Sequence, residues 1–189
     1  MRRVVQELIE RNRKQVNEFE KVCIDTIIKI AETIIESIKK GGCVYLCGNG
    51  GSAADCQHIA GELLGRFRRN RKPLPAVALS TDTSVITCIS NDYTYEDVFA
   101  RQTEAMLKDG DILWAFSTSG ESPNIIKAAG IANKKGVKVI AFTGKRPSKL
   151  ESLSDLCICS NTDITSTAQE IHMLAYHIIC EIIDQQFTD

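Results

Sequence analysis

The chain has no excess of either charge: among its 189 residues, 23 Lys and Arg stand against 24 Asp and Glu. A balanced chain exerts no bulk attraction on nucleic acid, acidic lipid or other polyanions, so any anionic ligand has to be held by a local arrangement of groups. No uninterrupted apolar run reaches the length of a membrane span, and Met1-Arg2-Arg3-Val4-Val5-Gln6-Glu7 is not followed by the apolar stretch of a signal peptide. No CxxC pair occurs among the eight cysteines. Most of them stand inside apolar runs, such as Cys43-Val44-Tyr45-Leu46-Cys47 and Leu156-Cys157-Ile158-Cys159, which predicts free core thiols in place of disulfides. Pro-rich linkers, low-complexity tracts and internal repeats are also missing. These absences and the length predict one soluble, cytoplasmic domain over residues 1–189, with no nucleic-acid or membrane partner.

What is present is ordered. From about Val4 to Lys40 apolar residues recur at helical spacing, and this stretch predicts two helices. Adjacent pairs such as Ile27-Ile28 and Ile34-Ile35 widen the apolar stripe, which suits packing on the chain's own sheet or on a second subunit. After Gly41-Gly42 come five short apolar runs, Cys43–Cys47, Ala76–Leu79, Ile112–Phe116, Lys138–Phe142 and Leu156–Cys159, which read as buried strands. Helical stretches alternate with them at Ala53–Phe67, Tyr95–Leu107, Pro123–Lys135 and Thr165 to Phe187. Alternation of this kind predicts an α/β fold, a three-layer α/β/α sandwich around a five-stranded parallel sheet with N-terminal helices outside it. Ligands in such folds sit beyond the carboxyl ends of the strands.

Three loops follow apolar runs. Gly48-Asn49-Gly50-Gly51-Ser52 has the glycines for close backbone approach at a helix start, but neither GxGxxG spacing nor a P-loop lysine, which disfavours a nucleotide. Ser117-Thr118-Ser119-Gly120-Glu121-Ser122-Pro123 brings four hydroxyls to one helix start and reads as a neutral phosphate cradle. N-capping by one Ser would account for a single hydroxyl. Ser90-Asn91-Asp92-Tyr93 offers an amide and a carboxylate suited to sugar hydroxyls, or forms a plain turn.

The three histidines fall in two helical stretches. His58 and Glu62, four apart, share a helix face, and Gln169 and His177 can share a broad face of the last helix. Such groups are acceptable ligands for a divalent ion such as Zn²⁺. They also suit an aldose–ketose isomerisation, with Glu62 as base and His177 as acid. A metal held by both would restrict their proton exchange.

Taken in order, Gly48-Asn49-Gly50-Gly51-Ser52-Ala53-Ala54-Asp55, Gln57-His58-Ile59-Ala60-Gly61-Glu62, Ser117-Thr118-Ser119-Gly120 and Gln169-Glu170-Ile171-His172 resemble the sedoheptulose 7-phosphate isomerases of the SIS domain family. The likeness runs from about residue 20 to the C-terminus. It implies conversion of sedoheptulose 7-phosphate to D-glycero-D-manno-heptopyranose 7-phosphate, the first step towards ADP- or GDP-heptose for envelope polysaccharides such as lipopolysaccharide. It implies a bacterial cytoplasm and a homotetramer, with active sites at subunit interfaces, residues 1–40 used in assembly, and one Zn²⁺ per subunit. The implied metal ligands are His58, Glu62, Gln169 and His177. The implied substrate contacts are Asn49, Gly50, Gly51, Glu62, Asn91, Asp92, Ser117, Thr118, Ser119, Ser122 and Gln169. Thr167-Ala168 stands where the family has Arg-Ile, so a different path into the last helix is expected. Lys145-Arg146-Pro147-Ser148-Lys149 lacks the family's glycine pair and is expected to be peripheral. The rival reading is a non-catalytic binder on the same fold, resembling replication-initiator-associating relatives that lack the carboxylate and the final histidine; both are present here as Glu62 and His177.

Overall fold

The computed structural model describes residues 1–188. In chain order the elements are α1 (Arg2–Lys39), β1 (Val44–Cys47), α2 (Gly51–Leu64), β2 (Ala76–Ala78), α3 (Thr83–Asp92), a 3₁₀ turn (Tyr95–Asp97), α4 (Val98–Met106), β3 (Ile112–Ser117), α5 (Pro123–Lys134), β4 (Lys138–Thr143), α6 (Lys149–Ser152), β5 (Leu156–Cys159) and α7 (Thr165–Gln186). The five strands form one parallel sheet in the order β2-β1-β3-β4-β5. From β1 the chain winds outward to β2, then returns to β3 on the other side of β1. The carboxyl ends of β1 and β3 therefore flank the topological switch point, where α/β sheets open a crevice.

Side-chain alternation along the strands divides the core. Leu46, Trp114, Phe116 and Phe142 pack with α1, α2 and α7 on one face. Cys47, Leu113, Ala115 and Ala141 meet the apolar residues of α4 and α5 on the other. Two helical layers thus cover the sheet, as the sequence pattern predicts.

The N-terminal region differs from expectation. One helix of 38 residues replaces the predicted two, because no glycine or proline interrupts residues 2–39. Phe19, Cys23, Ile27, Ile30, Ala31, Ile34 and Ile35 form its buried stripe, whereas Val4, Val5, Leu8, Ile9, Val22, Ile24 and Ile28 are exposed. All eight cysteines are free, five of them buried and Cys88 exposed. Among the described residues no helix is long and apolar enough to cross a membrane.

Candidate active site

The cradle begins where β3 ends. Ser117, buried at the strand terminus, places its hydroxyl 2.9 Å from Ser122 Oγ and 3.3 Å from Ser119 Oγ. The Gly120 N–H donates to Ser117 Oγ at 3.1 Å, and the Glu121 N–H donates to Ser119 Oγ at 3.1 Å. Ser122 occupies the N-cap of α5 without making a side-chain cap bond. Simple capping therefore does not explain its hydroxyl, which joins the cluster at a helix start where anions are favoured.

The loop expected to be peripheral instead braces this cradle. Gly120 has φ 68°, and a Cβ there would stand 2.3 Å from Ser148 Cβ. The Lys149 N–H donates to Glu121 Oε1 at 2.9 Å, and Lys149 Nζ lies 2.9 Å from Oε2. These two groups hold the Glu121 carboxyl below its usual range, so its charge beside the cradle is countered.

Across the crevice, loop 48–51 leads from β1 into α2. Gly50 takes φ 55°. At Gly51 a Cβ would lie 2.4 Å from Gln169 Nε2, so glycine leaves room for the Gln169 amide where it lies. Thr167 and Ala168 are fully buried in the first turn of α7, so the small pair packs inside an ordinary helix start. Asn91 and Asp92 close α3 as helical residues, not as a strand-end loop. Both are exposed, with Asn91 Nδ2 donating to Asp92 Oδ1 at 2.9 Å.

A second cluster lies further along α2 and α7, which meet where Gln169 packs on Gly51. The ligand atoms of His58, Glu62 and His177 all fall within 4.8 Å of one another. His58 Nε2 is 3.0 Å from Glu62 Oε1, and the two imidazole rings are 5.0 Å apart. Tyr176, fully buried, sets its hydroxyl 3.0 Å from His58 Nδ1 and 3.4 Å from Asp55 Oδ1. Burial, then the neighbouring His58, lowers the His177 pKa, with Glu62 opposing. Burial raises that of Asp55. Two imidazoles and a carboxylate in this arrangement can hold a divalent cation or move protons.

Gln169 does not join them. It lies eight residues before His177, a rise of about 12 Å along α7, and packs on Gly51. Glu62 is similarly about 16 Å along α2 from Gly51. Within one chain the structure thus forms two centres, the loops at the sheet edge and the His58–Glu62–His177 cluster.

The carboxyl end of α2 is fixed by a buried ion pair that the sequence reading missed. Arg71 and Asp184 side chains are 1% and 0% exposed, with Arg71 Nε 2.8 Å from Asp184 Oδ1. Arg71 also donates to the carbonyls of Glu62 (2.8 Å) and Leu63 (3.0 Å), while Asp184 Oδ2 accepts the N–H groups of Arg68 and Arg69. Asp55, Tyr176 and Asn124, which faces Asn49 across the crevice, were missed as well. Their one sequence signal is proximity: Asp55 stands one helical turn before His58, and Tyr176 adjoins His177.

Residues 7–144 match the SIS domain family. The phosphoheptose isomerase of Roseiflexus sp. (strain RS-1) is 49% identical over 159 residues, covering 84% of this chain and 81% of the relative. A probable phosphoheptose isomerase of Thermoplasma acidophilum is 46% identical over 164 residues, 87% of this chain and 90% of the relative. The structure of the phosphoheptose isomerase from Neisseria gonorrhoeae superposes with a TM-score of 0.92 at 36% identity, covering 97% of this chain and 98% of that one. With the sheet, cradle and His58–Glu62–His177 cluster all in place, these likenesses establish that the chain belongs to the SIS domain family and, within it, to the phosphoheptose isomerases.

Proposed function

We propose that the protein interconverts sedoheptulose 7-phosphate and D-glycero-D-manno-heptopyranose 7-phosphate through an enediolate. The observation that carries this reading is the gathering of Glu62, His58 and His177 within 4.8 Å of one another. A bare phosphosugar sensor would need the cradle without that cluster.

Ser117, Thr118, Ser119 and Ser122, with the N–H groups at the start of α5, hold the phosphate. Gly50, Gly51 and Gln169 border the sugar, with Asn49 beside them, and Asn91 and Asp92 supply contacts to its hydroxyls. Glu62 removes the proton from the carbon beside the carbonyl, and His177, with a lowered pKa, exchanges a proton with the enediolate oxygens.

The donor set fits Zn²⁺, one ion per subunit, with His58, Glu62 and His177 as this chain's ligands. Gln169, the fourth implied ligand, packs at Gly51 in this chain. A bound ion would supply positive charge against the developing oxyanions. Glu62 has a second carboxylate oxygen for the proton.

The distance along α2 and α7 between the two centres supports sites shared between subunits of a homotetramer. The exposed Val22, Ile24 and Ile28 of α1 supply apolar surface for that assembly. The product would feed heptose formation for envelope polysaccharide in the cytoplasm. Aldose formation from sedoheptulose 7-phosphate, assayed with and without chelator and added Zn²⁺, tests the reading; no turnover in either condition contradicts it.

A further inference from the structure

Asn124 is the second residue of α5 and is buried to 2% exposure, yet it has no part in the cradle of hydroxyls beside it. Its Nδ2 donates to Asn49 Oδ1 at 2.9 Å, and its Oδ1 accepts from Asn49 Nδ2 at 2.9 Å. The two amides form a closed pair across the switch-point crevice, between the loop after β1 and the loop after β3. The Ile125 N–H donates to Asn124 Oδ1 at 3.0 Å, which fixes the orientation of that amide and, through the pair, of Asn49. Tyr95, on the 3₁₀ turn, adds a donor to Asn49 Oδ1 at 3.0 Å.

Asn49 Oδ1 has two lone pairs and two donors, and Nδ2 has one of its two hydrogens engaged. One N–H of the side chain is left to offer a substrate. The chief work of Asn49 is therefore to be held, and the loop that follows it contains Gly50 at φ 55° and Gly51 against Gln169. Two glycines in succession give this loop little stiffness of its own. A buried, doubly bonded amide is the rigid element that ties it to the start of α5.

We propose that Asn124, with Tyr95 in support, is a positioning residue that latches the glycine loop to the phosphate cradle, so that a sugar anchored by its phosphate meets loop 48–51 in a fixed place. This rests on the isomerase reading of the same site. Small misplacements of a reacting group cost far more in turnover than in binding. The latch is thus expected to act on kcat, with phosphate affinity left to the Ser117–Ser122 hydroxyls.

The experiment compares the full-length protein with Asn124→Leu, Asn124→Ala and Tyr95→Phe. Binding of inorganic phosphate is measured by calorimetry, turnover of sedoheptulose 7-phosphate by steady-state kinetics, and backbone amide exchange by mass spectrometry. Asn124→Leu and Asn124→Ala are expected to bind phosphate, and to show a KM, within about threefold of the parent, while kcat falls at least about tenfold. Exchange of residues 48–52 is expected to rise at least about tenfold, with β3 unchanged. Tyr95→Phe changes an exposed residue and tests the latch if the buried variants fail to fold; it should show the same pattern, weaker. The proposal is overturned if kcat stays within about twofold, if it falls only with the folded fraction, if phosphate affinity is lost in step with it, or if the exchange of 48–52 is unaltered. Should the parent show no turnover, the isomerase reading fails, while the calorimetric and exchange measurements still decide whether the latch exists.

Discussion

The Tyr176 hydroxyl lies 3.0 Å from His58 Nδ1, so the imidazole that reaches Glu62 through Nε2 is held from behind by a buried phenol. That phenol has Asp55 Oδ1 at 3.4 Å as its second neighbour, and Asp55 Oδ2 has no partner among the described residues. A phenol between a carboxylate and an imidazole fixes the ring's orientation, the task outer residues perform around metal-binding histidines. Tyr176→Phe is expected to weaken Zn²⁺ binding by about 10- to 100-fold, measured by competition with a chromophoric chelator, with the fold intact by circular dichroism. Unchanged affinity would remove Tyr176 from this role.

The cradle separates binding from chemistry. Ser119→Ala and Ser122→Ala each delete a hydroxyl worth about 1 kcal/mol, so KM for the phosphorylated sugar should rise roughly fivefold apiece with kcat nearly constant. Steady-state kinetics checks this, and an unchanged KM in both variants would take the phosphate away from this loop.

Asp184 is the stability prediction. Burial alone would raise its pKa, but the N–H groups of Arg69 and Arg68 and the Arg71 guanidinium overcome that and lower it. Asp184→Ala leaves Arg71 buried and unpaired and is expected to cost about 3–5 kcal/mol. Denaturant unfolding of the assembled protein measures it. A loss below about 1 kcal/mol would mean the pair is dispensable.

His172 predicts an acid sensitivity. It is fully buried, with Nε2 3.0 Å from the Thr143 carbonyl oxygen, and burial pushes its pKa down from 6.5 to about 4. The unfolded chain therefore binds the extra proton first. Stability from this residue is complete above about pH 6.5 and is lost as pH falls towards about 4, by on the order of 3 kcal/mol. Thermal unfolding between pH 7.5 and 4.5 should show this slope, and His172→Gln should flatten it. The Asp184 contribution fades at lower pH, below the ordinary carboxylate range, so the two windows are separable.

Much of this was legible from sequence because parallel strands covered by helices on both faces read as short continuous apolar runs. All five were found, and Leu156–Cys159 matched to the residue. The i, i+4 spacing of His58 and Glu62 likewise fixed a shared helix face. Other features depend on pairs that spacing does not reveal: Asn49 and Asn124 are 75 residues apart, and Asp55 and Tyr176 are 121 apart. Helical periodicity also placed Gln169 and His177 on one broad face, but their rise along α7 keeps Gln169 at Gly51. The loop carrying Lys149 read as peripheral, so its missing glycine pair carried little weight, yet a backbone N–H and an ammonium there counter Glu121.

In the proposed reaction Glu62 moves the substrate proton. This role is tested most directly by following sedoheptulose 7-phosphate in deuterated water by NMR with the parent protein and with Glu62→Gln. Aldose carrying deuterium at the carbon beside the carbonyl is expected for the parent. For Glu62→Gln turnover is expected to fall at least about 100-fold with sugar phosphate still bound. Near-full activity and undiminished deuterium incorporation in Glu62→Gln would contradict this role.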